Sequence, residues 1–113
     1  MAALSQGAPW AVAAAMAVFL LASASQGIAD TPEQVVRIEN MAFAPATLTV
    51  QRGTQVVWHN HDLVPHTVTA VGTFDSGSIA PGRRWTSVVK APGRYDYVCA
   101  YHPGMKATLV VQP

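Results

Sequence analysis

The sequence predicts an all-β sandwich or barrel of about seven strands over residues 30–113, and three observations predict it. Short runs rich in β-branched and aromatic residues recur along this stretch, apolar and polar side chains alternate within them, and turn signals separate them. No segment of this stretch carries a convincing helical period. Strands are expected at about 34–39, 47–51, 54–60, 66–71, 84–90, 94–99 and 106–112. The alternation is clearest in two of them. Leu48 and Val50 interleave with Thr47, Thr49 and Gln51, and Tyr95, Tyr97 and Cys99 share one face opposite Asp96 and Val98. Phe43-Ala44-Pro45, Arg52-Gly53, Ala80-Pro81-Gly82 and Ala91-Pro92-Gly93 supply the punctuation.

Composition divides the chain in two. All 13 charged side chains lie between Asp30 and Lys106, and residues 1–29 carry none. An apolar run from Ala8 to Ala24 is followed by Gly27-Ile28-Ala29, which suits a small-x-small cleavage site. Residues 1–29 are therefore read as a secretory signal, with an uncleaved anchor as the alternative, since the run is short for a span of about 20 apolar residues. No Lys or Arg precedes the run, no twin Arg is present, and no Cys in this segment offers a lipid attachment point. Export to the periplasm is expected. Residues 30–113 form one domain of 84 residues, near the lower limit of what a single core stabilises without a metal, disulfide or partner. A net charge of +1 excludes a strongly basic nucleic-acid binder.

The single cysteine, Cys99, excludes an internal disulfide. In an exported chain a lone thiol is usually buried, paired between chains or bound to metal. Here it ends a strand and opens Cys99-Ala100-Tyr101-His102-Pro103-Gly104-Met105. Thiolate, imidazole and thioether within seven residues favour copper: the sulfur donors stabilise Cu(I), and imidazole serves both oxidation states. A further strong ligand is required, and His59, His61 and His66 are the candidates. Pro65 fixes the backbone before His66, so that residue arrives on a stiff segment. His59 and His61 flank Asn60 at a strand end and are read as exposed side chains, although their His-x-His spacing offers a weak second metal site.

With these residues in place the chain resembles the cupredoxins, small type 1 blue copper proteins. The likeness is nearest to the amicyanin branch, with plastocyanin and pseudoazurin more distant. It runs from Ile38-Glu39-Asn40-Met41-Ala42-Phe43-Ala44-Pro45 through Gly53-Thr54-Gln55-Val56-Val57-Trp58-His59-Asn60 and Pro65-His66 to the Cys99–Met105 loop. The two-residue gap between His102 and Met105 is similar to the short amicyanin loop. The resemblance implies a Greek-key sandwich and selects His66, Cys99, His102 and Met105 as ligands of one type 1 copper. It implies that Asn60 braces the ligand loop. Thr67 stands where the family usually has Asn, and its N–H is expected to reach the thiolate sulfur. Electrons are expected to pass at His102, bordered by Pro103 and Gly104, where Gly104 replaces a bulky aromatic and shrinks the apolar patch.

No open coordination position and no catalytic constellation is legible, so the chain is read as an electron carrier rather than an enzyme. The alternative is a copper-binding module for storage or delivery. By resemblance only, a dehydrogenase would be the donor and a c-type cytochrome the acceptor, both transient partners of a soluble monomer.

Overall fold

The computed structural model describes residues 32–113, together with Ala3 and Gly7 apart from them. The expected signal segment and its cleavage site lie outside the described residues. Among the described residues there is no helix, and so none long and apolar enough to cross a membrane.

Nine strands form two sheets. They are β1 (Glu33–Glu39), β2 (Ala42–Ala44), β3 (Thr47–Gln51), β4 (Gln55–Asn60), β5 (Thr69–Ala70), β6 (Phe74–Asp75), β7 (Arg84–Val88), β8 (Gly93–Cys99) and β9 (His102–Gln112). One sheet has the order β2-β1-β4-β7 and the other β3-β9-β8-β5-β6. The pairs β1–β4 and β3–β9 are parallel, and the remaining ladders are antiparallel. Parallel neighbours cannot be joined by a hairpin, so each of these two pairs brings distant parts of the chain side by side.

The alternation read from the sequence sets the two faces. Val36 and Ile38 of β1, Val56 and Trp58 of β4, Tyr97 and Cys99 of β8, and Leu109 and Val111 of β9 all point into one core. Aromatic rings tie the sheets together across it. The Trp58 Nε1–H donates to the Tyr97 hydroxyl at 3.1 Å, and the two rings meet edge to face with centroids 5.8 Å apart. Phe43 meets Tyr97 in the same manner at 4.9 Å. Such pairs add about 0.5–1.5 kcal/mol beyond the area they bury.

The observed strands depart from the expected ones where local sequence is a poor guide. Residues 66–71 were expected to form one strand, yet only Thr69 and Ala70 belong to a ladder. His66 instead makes an isolated bridge to Ile79, and the Val68 N–H is taken by the Ser76 hydroxyl at 2.7 Å. Ala42–Ala44 and Phe74–Asp75 pair as short strands of three and two residues, too brief for a periodic signal. The last strand begins at His102 rather than near 106. His59 lies within β4, which is paired on both sides, so it occupies the face of a sheet and not a free edge.

Candidate metal centre

Three elements converge at one end of the sandwich. The first is the C-terminal end of β8, whose last residue, Cys99, is fully buried. The second is the start of β9. Val98 pairs with Lys106 while Cys99 pairs with His102, so one step along β8 matches four along β9. Pro103, Gly104 and Met105 are the extra residues of this bulge. Bulges re-aim side chains, and here the bulge leaves His102 beside Cys99 and half-buried, while Met105 turns back into the core. Pro103 and Gly104 stay exposed. The third element is the segment after β4, which brings His66, fully buried, to the same place.

The resulting geometry is compact. The His66 Nδ1 lies 3.7 Å from the Cys99 Sγ, and the His102 Nδ1 lies 3.6 Å from it. Ligand atoms of all three residues fall within 4.8 Å of one another. The two imidazole rings stand edge to face, with centroids 5.2 Å apart. Of the three upstream histidines, the structure brings only His66 to Cys99 and His102; His59 and His61 pair with each other elsewhere.

Neighbouring groups set the state of each donor. The Thr67 N–H donates to the Cys99 Sγ at 3.3 Å, and the Thr67 hydroxyl accepts from the Ala100 N–H at 2.7 Å. These two bonds lock the His66 and Cys99 segments together although 32 residues separate Thr67 from Cys99. Asn60, fully buried, acts as a three-way brace. Its Nδ2 donates to the Val64 and Ile79 carbonyls, both at 2.9 Å, and its Oδ1 accepts from the Asp62 N–H at 2.9 Å. Each such bond is worth about 0.5–1.5 kcal/mol net, and a carbonyl left without its partner costs more.

Asp62 was not anticipated from the sequence. Its Oδ2 lies 2.8 Å from the His66 Nε2. Burial pushes the Asp62 carboxyl up, but bonds from the Met41 N–H, His66 and the Asn40 N–H together outweigh it and hold the group below the usual carboxylate range. An ionised carboxylate only accepts, so the His66 Nε2 carries the proton and the Nδ1 lone pair faces the Cys99 sulfur. The same carboxylate pins the β1–β2 turn, accepting from the Asn40 N–H at 2.7 Å and the Met41 N–H at 3.0 Å. Both turn residues have positive φ, 54° and 59°, as a two-residue hairpin turn of this twist requires. An acidic residue four positions before a candidate ligand was the available signal.

Whether copper fits can be tested on these distances. With bonds of about 2.0 Å to nitrogen and 2.3 Å to sulfur, as zinc makes, an angle near 120° would separate sulfur and nitrogen by about 3.7 Å. The two observed separations match that value. One thiolate and two imidazoles, with a buried thioether on the same bulge, suit copper. Among the described residues the donors are protein atoms drawn from two segments, and no carboxylate joins them.

Comparison with known proteins agrees with this geometry. The profile of the cupredoxin-like domain matches residues 11–111. Amicyanin-alpha of Methylorubrum extorquens is 31% identical over 119 residues, covering 90% of this chain and 97% of that protein. Amicyanin of Paracoccus versutus is 30% identical over 74% of this chain and 70% of its own. The chloroplastic plastocyanin of Tetradesmus obliquus is more distant, at 29% over 64% and 59%. Among solved structures, a copper(I) form of an amicyanin variant superposes with a TM-score of 0.67 at 28% identity, covering 69% of this chain and 80% of that one. The copper-containing nitrite reductase of Thermus scotoductus also superposes, with a TM-score of 0.67, but only 22% of that enzyme is matched. The relatives matched over most of their own length are thus electron carriers, the enzyme being matched over a minor part only, and the His66–Cys99–His102 group is positioned for one type 1 copper. The chain belongs to the cupredoxin family.

Proposed function

We propose that the chain is a periplasmic electron carrier whose one type 1 copper site is formed by His66, Cys99, His102 and Met105. One observation carries the reading: two imidazole Nδ1 atoms lie 3.6 and 3.7 Å from a buried thiol sulfur. Bound there, copper supplies a one-electron couple between Cu(II) and Cu(I). Every remaining part of the account belongs to the protein's own residues. Cys99 provides the thiolate, and the Thr67 N–H stabilises negative charge on its sulfur. Asp62 fixes the tautomer and plane of the His66 ring. Asn60 and the Thr67–Ala100 bond hold the two ligand segments at a fixed separation, so little nuclear motion accompanies a change of charge. His102, half-buried beside exposed Pro103 and Gly104, is the exit to a partner.

Residues 1–29 are the export signal in this reading, and 30–113 the cupredoxin domain. Contact with partners is brief and small in area; a dehydrogenase as donor and a c-type cytochrome as acceptor suit a carrier of this kind. Exposed apolar side chains flank the ligands in both segments: Leu63, 93% exposed, and Val64 before His66, and Tyr101 before His102.

A mixture of the oxidised and reduced copper-loaded protein tests the carrier role. Fast self-exchange, read as concentration-dependent narrowing of averaged NMR signals, together with slow copper loss to a chelator, is the expected result. Slow exchange with rapid handover of copper to the chelator would instead assign the chain to copper delivery.

A further inference from the structure

The outer face of the four-stranded sheet carries an unusual row. Arg37 of β1, His59 of β4 and Arg84 of β7 stand directly opposite one another in register across three strands. Arg37 and Arg84 thus flank His59 from either side, and the two guanidinium charges make this face of the sheet positive. Arg37 is partly offset by Glu39, whose Oε2 accepts from its guanidinium at 3.0 Å. Among the described residues Arg84 and its neighbour Arg83 form no ion pair, and both are exposed. At the end of the row the His61 ring lies against His59, with centroids 4.0 Å apart.

The surroundings of His59 decide which sign of charge the row receives. Burial lowers its proton affinity first, then the charges of His61, Arg84 and Arg37, and these outweigh the Gly82 carbonyl that accepts from its ring. From β1 it is faced by Arg37, with Glu39 beyond; from the β7 side by Arg84 and the Gly82 carbonyl. Along its own segment come His61 and Asp62, and Asp62 is committed to His66, Asn40 and Met41. Two guanidinium groups flanking an imidazole repel a metal ion and attract carboxylates.

We propose that the Arg37–His59–Arg84 row, ending in His61, is a docking surface for a protein partner that presents clustered Asp and Glu side chains. The row leads into Asn60, the brace of the segment that carries His66, so a partner seated on it lies at the metal-binding end of the sandwich. That the partner is a redox protein rests on the carrier reading above; the charge recognition does not. Acidification adds a proton to His59 and strengthens the attraction.

The test is an NMR titration of the full chain, loaded with copper(I), with poly-L-aspartate as the acidic probe. Saturable shifts centred on the amides of Arg37, His59 and Arg84 are expected. Affinity should fall at least roughly tenfold when salt is raised from about 10 to about 150 mM, because the screening length drops from about 30 to about 8 Å. The Arg37→Gln/Arg84→Gln double variant should lose a similar factor, and binding should tighten from pH 7.5 to pH 5.5. The double variant should keep the visible spectrum of its copper(II) form, so a failure of the copper reading shows in the spectrum and a failure of docking shows only in the shifts. Shifts spread evenly over Arg52, Lys90, Arg94 and Lys106 would overturn the proposal. So would an unaffected double variant, or zinc binding at His59 and His61 more tightly than the peptide.

Discussion

Asp62 shows how much one side chain decides. It holds the His66 ring by Nε2, so the imidazole presents a lone pair from Nδ1 without having to reorient. It also satisfies two N–H groups of a turn whose residues both have positive φ. Asp62→Ala is expected to weaken copper(II) binding by about 10–100-fold, the usual effect of losing an outer partner of a ligating histidine. Competition with a chelator of known affinity measures it, and an unchanged affinity would show that the ring is fixed by packing alone. Cys99 and His102 were legible in the sequence because thiolate and imidazole are compressed into four residues at a strand end. For Asp62 the one signal was its place four residues before His66, and its approach to a turn 21 and 22 residues away leaves no mark in the sequence.

Among the elements, the β8–β9 hairpin matters most. The spacing Cys99-x-x-His102-x-x-Met105 reads as a loop, yet the structure makes His102 the first residue of an eleven-residue strand with a bulge. Pairing of Cys99 with His102 depends on backbone hydrogen bonds that no residue type announces. The strand interiors were more legible: Tyr95, Tyr97 and Cys99 face inward as their alternation required, and β3 begins and ends where expected. The shortening of 66–71 was hidden, because the Ser76 hydroxyl and Ile79 replace a strand partner there. Met105, 6% exposed, sits where the bulge rejoins the core. Met105→Leu conserves volume, so the expected loss of stability is under about 1.5 kcal/mol. In the proposed ligand set the same change also removes the thioether donor, and it should raise the reduction potential while leaving an intense visible band. Voltammetry beside thermal unfolding separates the two effects; an unchanged potential would remove Met105 from the ligand set.

At the scale of the whole molecule, the core carries one buried titratable group that joins the sheets. Burial pushes the Tyr97 hydroxyl up to about 12, while the bond from Trp58 pulls the other way. The folded chain therefore holds this proton more tightly than the unfolded chain, whose tyrosine titrates near its ordinary value of about 10. The stability linked to it is complete below pH 10 and is lost as pH rises towards 12. Two pH units correspond to about 2–3 kcal/mol. Urea unfolding of the parent and of Tyr97→Phe between pH 8 and 12 measures it, since other ionisations are common to both. The parent should lose stability more steeply above pH 10; parallel curves would show that Tyr97 titrates freely.

The central claim is that Cys99 supplies a thiolate to copper(II) between two imidazoles. A visible absorption spectrum of the purified chain, recorded after one equivalent of copper(II) and again after ascorbate, tests it most directly. The account predicts an intense thiolate-to-copper charge-transfer band that bleaches on reduction, returns on reoxidation and is absent from Cys99→Ser. A pale complex showing only weak ligand-field bands, or a band that survives in Cys99→Ser, would contradict it.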